Sequence, residues 1–293
     1  MYLVYQFSAN EDPSLLSQTL WRLKMSHRII VNDGHRELWV NHPSHQEPAA
    51  QLVKIWLDDP QMLNKVEIDP SQPIPQSSSS IVEQIKAAPA TAGVLLAAVI
   101  VAFVTQLGSD LSMVRYFTIS PFTVLGGQIR FYSLSDVLAQ GEYWRLLTPA
   151  LIHFSVMHIV FNALWVWDVG RRLERMIGSL AWIVGVIVIA IFSNILQFEI
   201  DSNPLFGGLS GVVYGLIGFA WLLPILRKDW PVIVSKPLMI FFMVWLGIGY
   251  TQIPESLGLG SIANTAHTIG LFAGLALSLV YWVATKHRPL RQL

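Results

Sequence analysis

Gly207-Gly208-Leu209-Ser210-Gly211-Val212-Val213-Tyr214-Gly215 opens an apolar segment and sets a serine at its start. Glycines 207, 211 and 215 recur every four residues and so share one face of a helix. Such small-xxx-small faces let transmembrane helices approach backbone to backbone. Ser210 stands beside that face, and Tyr214 lies one turn beyond it. Taken alone, the stretch has two readings: a packing motif with an incidental serine, or the seat of a nucleophile. Other segments bear on the choice.

The 293 residues are 53% hydrophobic and 13% charged, with a mean hydropathy of +0.49. A soluble domain carries roughly 25% charged residues, about twice as many. The deficit is uneven: residues 1–70 look soluble and most of the remainder reads as bilayer. A formal net charge of zero argues against a nucleic-acid partner. With no cysteine there is no disulfide, thiol nucleophile or cysteine-ligated metal. Met1-Tyr2-Leu3-Val4-Tyr5 has no basic lead and too short an apolar run for a signal peptide.

The soluble head reads as βαββα. Met1 to Phe7 alternates like a strand. Asp12-Pro13-Ser14 starts a helix to about Lys24 with Leu15, Leu16, Leu20 and Leu23 on its apolar side. Arg28 to Val31 and Glu37 to Val40 are strands around an Asn32-Asp33-Gly34 turn. A second helix runs from His45 or Pro48 to Leu57. His27, His35, His42 and His45 lack metal-ligand spacing and are expected at the surface. Residues 1–68 form this domain. Residues 69–86 form a linker, stiffened by prolines and solvated by Ser77 to Ser80.

Six apolar segments follow, at about 87–106, 148–169, 179–198, 209–224, 237–253 and 262–283, against the ~20 residues that cross a bilayer. Arg171, Arg172 and Arg175 lie between the second and third segments. Arg227, Lys228 and Lys236 lie between the fourth and fifth, and Lys286, Arg288 and Arg291 follow the sixth. No Lys or Arg occurs from 176 to 226 or from 237 to 285. This asymmetry predicts cytoplasmic termini, with loops 199–208 and 254–261 outward. The long first loop, 107–147, carries Arg115, Arg130 and Arg145 against that trend. Its Phe131-Tyr132-Ser133-Leu134 and Tyr143-Trp144 suit the membrane interface.

Leu209 to Leu223, closed by Pro224 and Arg227, makes only ~22 Å of helix against ~30 Å of hydrocarbon. The connection Asn203 to Gly208 is therefore expected to dip into the membrane. Irregular backbone at that depth is tolerated only within protein or beside water. Ser210 then stands at a helix N-terminus, whose first N–H groups are ready donors for an oxyanion. Segment six carries the complementary group. His267 is its only histidine or charged side chain, and Gly270 and Gly274 follow on the same face. Intramembrane ionisable residues are functional candidates by default. Segment two adds His158 and Asn162, i and i+4 on one face, which are oxyanion donors or interhelical polar contacts.

Together these residues resemble the rhomboid family of intramembrane serine proteases, most closely its bacterial GlpG type. Gly208-Leu209-Ser210-Gly211 matches the nucleophile motif. His267 with Gly270 and Gly274 matches the base helix, and His158 with Asn162 the oxyanion helix. Trp144-Arg145 matches the first-loop signature, Tyr214 the residue packed on the catalytic imidazole, and Glu174 with Arg171 and Arg172 the cytoplasmic end of helix two. The resemblance implies an all-α polytopic membrane protein. Residues 87–293 would form a six-helix rhomboid bundle in a bacterial inner membrane, behind the α/β head. It implies peptide-bond hydrolysis by a Ser210–His267 dyad. Asn162, His158 and the Ser210 N–H would hold the oxyanion, and Tyr214, Gly208, Gly211, Gly270 and Gly274 would support them. Substrates are transmembrane proteins entering beside helix five; no cofactor or metal is implied. Pro149 departs from relatives that carry a polar histidine on the water route, and Ser193 and Gln197 could supply water instead.

Other chemistries fit less well. G-x-S-x-G fails at Val212, and H-E-x-x-H fails because His153 and His158 are five apart with no Glu. Only Asp168 among aspartates lies within a segment, so an aspartyl protease fails too. A transporter would need a second broken segment in an inverted repeat. The alternative of another class is a non-catalytic rhomboid-like protein that escorts transmembrane helices. Loss of Ser210 or His267 would favour it, and both are present.

Overall fold

The computed structural model describes residues 2–8, 10–32, 35–66, 81–201, 204–228, 230–256 and 262–286. The chain divides into two compact units, Met1–Ser79 and Ser80–Leu293.

In the first unit β1 (Tyr2–Phe7), α1 (Ser14–Arg22), β2 (His27–Asn32), β3 (His35–Val40) and α2 (Gln46–Asp58) follow in order. The antiparallel sheet has β3 at its centre, paired with β1 and β2. Leu16 and Leu20 of α1 and Leu52, Val53 and Trp56 of α2 are buried with Phe7, Leu38 and Val40 of the sheet. One expectation fails here: His27 is buried, not at the surface. Its Nε2 pairs with Ser17 Oγ at 2.8 Å and its Nδ1 with the Met25 carbonyl at 2.9 Å. Burial is tolerable because both ring nitrogens are satisfied. The Asp33-Gly34 turn and linker residues 69–80 lie outside the described residues.

The second unit begins with α3 (Ile81–Ala87), where the sequence had suggested linker. After Ser80 the run Ile81-Val82-Glu83-Gln84-Ile85-Lys86-Ala87 contains no Gly or Pro and is mostly good helix formers. A bend of 105° leads into α4 (Pro89–Val104). The first loop contains α5 (Leu111–Val114), a hairpin of β4 (Phe122–Leu125) and β5 (Gln128–Phe131), and α6 (Leu134–Ala139). Gly126 and Gly127, both at positive φ, make the two-residue hairpin turn. Arg145 is buried and ties the end of this loop back to its beginning. Its Nη1 donates to the carbonyls of Arg115 at 2.7 Å and Thr118 at 3.1 Å, and its Nε to Glu142.

Segment two departs from the expected helix over 148–169. Thr148–Leu151 is a 3-10 turn, and α7 spans only Val156–Trp165. Ser155 starts α7 by accepting the His158 N–H at 3.1 Å, an N-cap that needs extended backbone before it. A π-helical turn, Val166–Gly170, joins α7 to α8 (Arg171–Ile177). Then come α9 (Ser179–Ile200), α10 (Ser210–Leu226), α11 (Lys236–Gly249), α12 (Ile253–Ser256) and α13 (Asn264–Thr285). Among the described residues, α9 and α13 are each long and apolar enough to cross a membrane; α3 with α4 makes a third span if the bent pair counts as one. α10 and α11 are apolar but shorter. Pro224 does not close α10 as expected but lies inside its last turn.

α10 is the centre of the unit. Every residue from Gly211 to Ala220 is buried, as suits a helix apolar on all sides. Its small residues face α13. A Cβ on Gly270 would strike the carbonyl and Cα of Gly211, and one on Gly274 those of Gly215. A Cβ on Gly218 would stand 2.7 Å from the Leu271 carbonyl. The packing face is thus Gly211, Gly215 and Gly218. Gly207 is not part of it, because the helix starts three residues later.

Glu174 ties three helices together and is almost wholly buried. The N-cap residue of α4 is Ala88, which has no capping side chain. Glu174 takes that role from α8, accepting the N–H groups of Ala90 at 2.9 Å and Thr91 at 2.7 Å and the Ser179 hydroxyl at 2.6 Å.

Candidate active site

Ser210 is the first residue of α10, and His267 lies in the first turn of α13. The glycine contact between these helices sets the two side chains together: Ser210 Oγ lies 2.7 Å from His267 Nε2. The imidazole is buried and stacks on the Tyr214 ring, centroids 4.8 Å apart and planes inclined by 25°. Tyr214 is fixed in turn, since its hydroxyl donates to the Phe242 carbonyl at 3.1 Å and its ring meets Phe242 edge-on. α11 therefore helps hold the histidine through Tyr214. Among the described residues no carboxylate is hydrogen-bonded to His267.

Gly207 and Gly208 lead into Ser210. Gly208 has φ +122°, and a Cβ there would stand 2.6 Å from His158 Nε2 and 3.5 Å from Asn162 Nδ2. Only glycine lets the backbone pass so close to both side chains. A Cβ on Gly207 would meet Ile152 Cβ at 2.7 Å and the Pro149 carbonyl at 2.9 Å. That carbonyl also accepts the Gly208 N–H at 3.0 Å. Pro149 thus anchors the nucleophile loop through its backbone. Asn162 is buried, and its Nδ2 has no hydrogen-bond partner among the described residues. A buried amide donor left so costs roughly 1–3 kcal/mol, which marks it for explanation.

The structure therefore brings Ser210, His267, Tyr214, His158, Asn162, Gly208, Gly211 and Gly270 to one locality, with Gly274 one turn deeper. His153, weighed in the sequence only as half of a metal-binding pair, also joins this locality. It is fully buried, 4.9 Å from the His158 ring in edge-on contact, with Nδ1 3.1 Å from the Leu151 carbonyl. Ser155, an N-cap residue, was the available signal that the chain breaks between the two histidines. Asn194 was missed; its Nδ2 donates to the Leu146 carbonyl at 2.9 Å, tying α9 to the end of the first loop.

Beside Ser210 lies a cavity with room for about one water molecule, lined by Ser193, Asn194, Gly208 and Gly211 among others. Ser193 Oγ is buried there without a partner among the described residues, as a water-binding group would be. Gln197, paired with Ser193 in the sequence reading, does not line the cavity. Its side chain binds Ala266 and Asp201 instead. Among the described residues no group of three or more His, Asp or Glu side chains is placed to hold a metal ion.

Residues 140–284 match the family profile of the rhomboid domain. The chain is 34% identical over 272 residues to the rhomboid protease GlpG of Serratia proteamaculans, covering 88% of each. It is 32% identical over 259 residues to the rhomboid protease GlpG of Yersinia pseudotuberculosis serotype I, covering 80% of this chain and 86% of the relative. This chain belongs to the rhomboid family. It is an integral membrane protein and an intramembrane serine protease. The rhomboid match, 140–284, includes every residue gathered around Ser210.

Proposed function

We propose that this rhomboid hydrolyses peptide bonds of transmembrane proteins with Ser210 as nucleophile and His267 as general base. The observation that carries the reading is the 2.7 Å contact between Ser210 Oγ and His267 Nε2. For Ser210 to donate, the imidazole proton must sit on Nδ1, leaving Nε2 as acceptor. His267 takes the hydroxyl proton as Ser210 attacks the carbonyl, then returns it to the leaving amine. Water then attacks the acyl-enzyme, with Ser193 beside the nucleophile to hold it. Asn162 Nδ2, the Ser210 N–H and His158 act on the oxyanion, because donors fixed in advance cost no reorganisation in the transition state.

The test is reaction of the purified protein with a fluorophosphonate probe. Labelling at Ser210, absent from Ser210→Ala, is expected; a wild-type protein that remains unlabelled overturns the assignment.

The reading extends to topology. Helices α4, α7 with α8, α9, α10, α11 and α13 make six spans, with both termini on the cytoplasmic side of a bacterial inner membrane. Residues 1–68 form a cytoplasmic domain. The charge asymmetry supports this orientation. Cysteine accessibility checks it cleanly, since the chain has no native cysteine. A cysteine at Glu199 is expected to react from the outer face and one at Lys228 from the cytoplasmic face; the reverse pattern inverts the topology.

A further inference from the structure

Helices α7 and α11 start with their own caps, Ser155 and Ser235, whose side chains accept first-turn N–H groups. The base helix α13 does not. Its N-cap residue is Ala263, with no capping side chain. Its first turn carries His267, so any fraying there displaces the imidazole that must meet Ser210. Four N–H groups at a helix start have no intrahelical acceptor. One of these, on Ala266 directly before His267, is taken by a side chain from another helix: Gln197 Oε1 of α9 accepts it at 2.8 Å. Gln197 is buried, and its amide is fixed from the other side. Nε2 donates to Asp201 Oδ2 at 2.8 Å, one turn further along α9.

An amide can accept at its oxygen and donate at its nitrogen, so the two bonds lock its orientation together. Asp201, at the C-cap of α9, also holds its helix end, its own N–H donating to the Gln197 carbonyl at 3.0 Å. A carboxylate acting through the amide on a helix N-terminus has the favourable sign for the helix dipole.

We infer that Gln197 and Asp201 are positioning residues for the general base. Asp201 orients the Gln197 amide, and Gln197 caps the first turn of α13 in place of the side chain that Ala263 lacks, keeping His267 Nε2 on Ser210. The inference rests on the Ser210–His267 reading. It gives Gln197 a different role from water supply, the task that falls to Ser193. Among the described residues no carboxylate is hydrogen-bonded to His267, and this pair provides the orientation that a third catalytic group would otherwise give.

The two roles for Gln197 separate by step. Fluorophosphonate labelling needs the nucleophile and its base but no hydrolytic water. Gln197→Met, which keeps length and removes the amide, is expected to slow labelling of Ser210 and kcat together by about tenfold, with KM little changed, since small misplacements of reacting groups are costly. Asp201→Ala is expected to slow both in the same direction but less. Asp201→Asn, which keeps an acceptor for Gln197 Nε2, is expected to restore rates to near wild type. Gln197→Met with Asp201→Ala is expected to lose no more than Gln197→Met alone, because the residues act in series. Labelling of Gln197→Met at the wild-type rate overturns the inference, whatever happens to proteolysis. If Gln197→Met does not fold, Asp201→Ala at the helix end decides, and wild-type labelling of that variant overturns it equally. A wild-type protein that fails to label sinks the Ser210 assignment instead, so the two failures are distinct.

Discussion

Ser210→Ala and His267→Ala are each expected to reduce proteolysis by about 10⁴-fold or more, and the double variant to fall no further. The reason is the 2.7 Å contact. A serine hydroxyl is a weak nucleophile unless a base takes its proton, and an imidazole without that serine has nothing to activate. Parts of one device fail together and not additively. The measurement is kcat/KM on a transmembrane substrate for the three variants, with melting temperature as control. Ser210 is only half-buried, so loss of its hydroxyl should leave stability nearly unchanged. Modest, additive losses in folded variants would remove the dyad.

Asn162→Ala carries the second-largest effect. Its amide nitrogen is buried and without a partner among the described residues. An amide that served as an interhelical contact would be bonded already, and its removal would cost stability. Here removal deletes a burdensome donor, so the melting temperature is expected to hold or rise slightly. Turnover is expected to fall, by up to the ~10²–10³ that one oxyanion donor contributes in soluble serine proteases. KM should change little, because the bond forms mainly in the transition state. His158, beside Gly208 in the same place, and the Ser210 N–H can compensate in part. Unchanged kcat with a lowered melting temperature would assign Asn162 to packing.

The chemistry of this protein was legible in the chain because membrane segments leave few places for polar groups. In α10 and α13 a lone serine and a lone histidine stood out against apolar surroundings, and glycines at helical spacing marked the faces that would meet. Apolar length likewise marked α9 and α13 without coordinates. Local signals were weaker where the chain breaks its own period. Gly207 fits the four-residue repeat, yet it lies outside the helix. Ser155 shortens α7 by capping it, and Pro224 sits inside the last turn of α10.

What only the tertiary structure decided were the contacts that cross between helices. Periodicity states which face a residue occupies on its own helix, not which backbone group of another helix it meets. Nothing local marks Glu174 as the cap of α4 or Gln197 as the cap of α13, since each partner lies more than sixty residues away in sequence. The same holds for the Pro149 carbonyl on Gly208 and for Tyr214 between Phe242 and His267. The sequence alone determined which residues could react, because an unusual polar group in an apolar segment is visible one residue at a time. The fold decided how they are held, because hydrogen bonds to backbone depend on how helices pack and on which helix ends lack caps of their own.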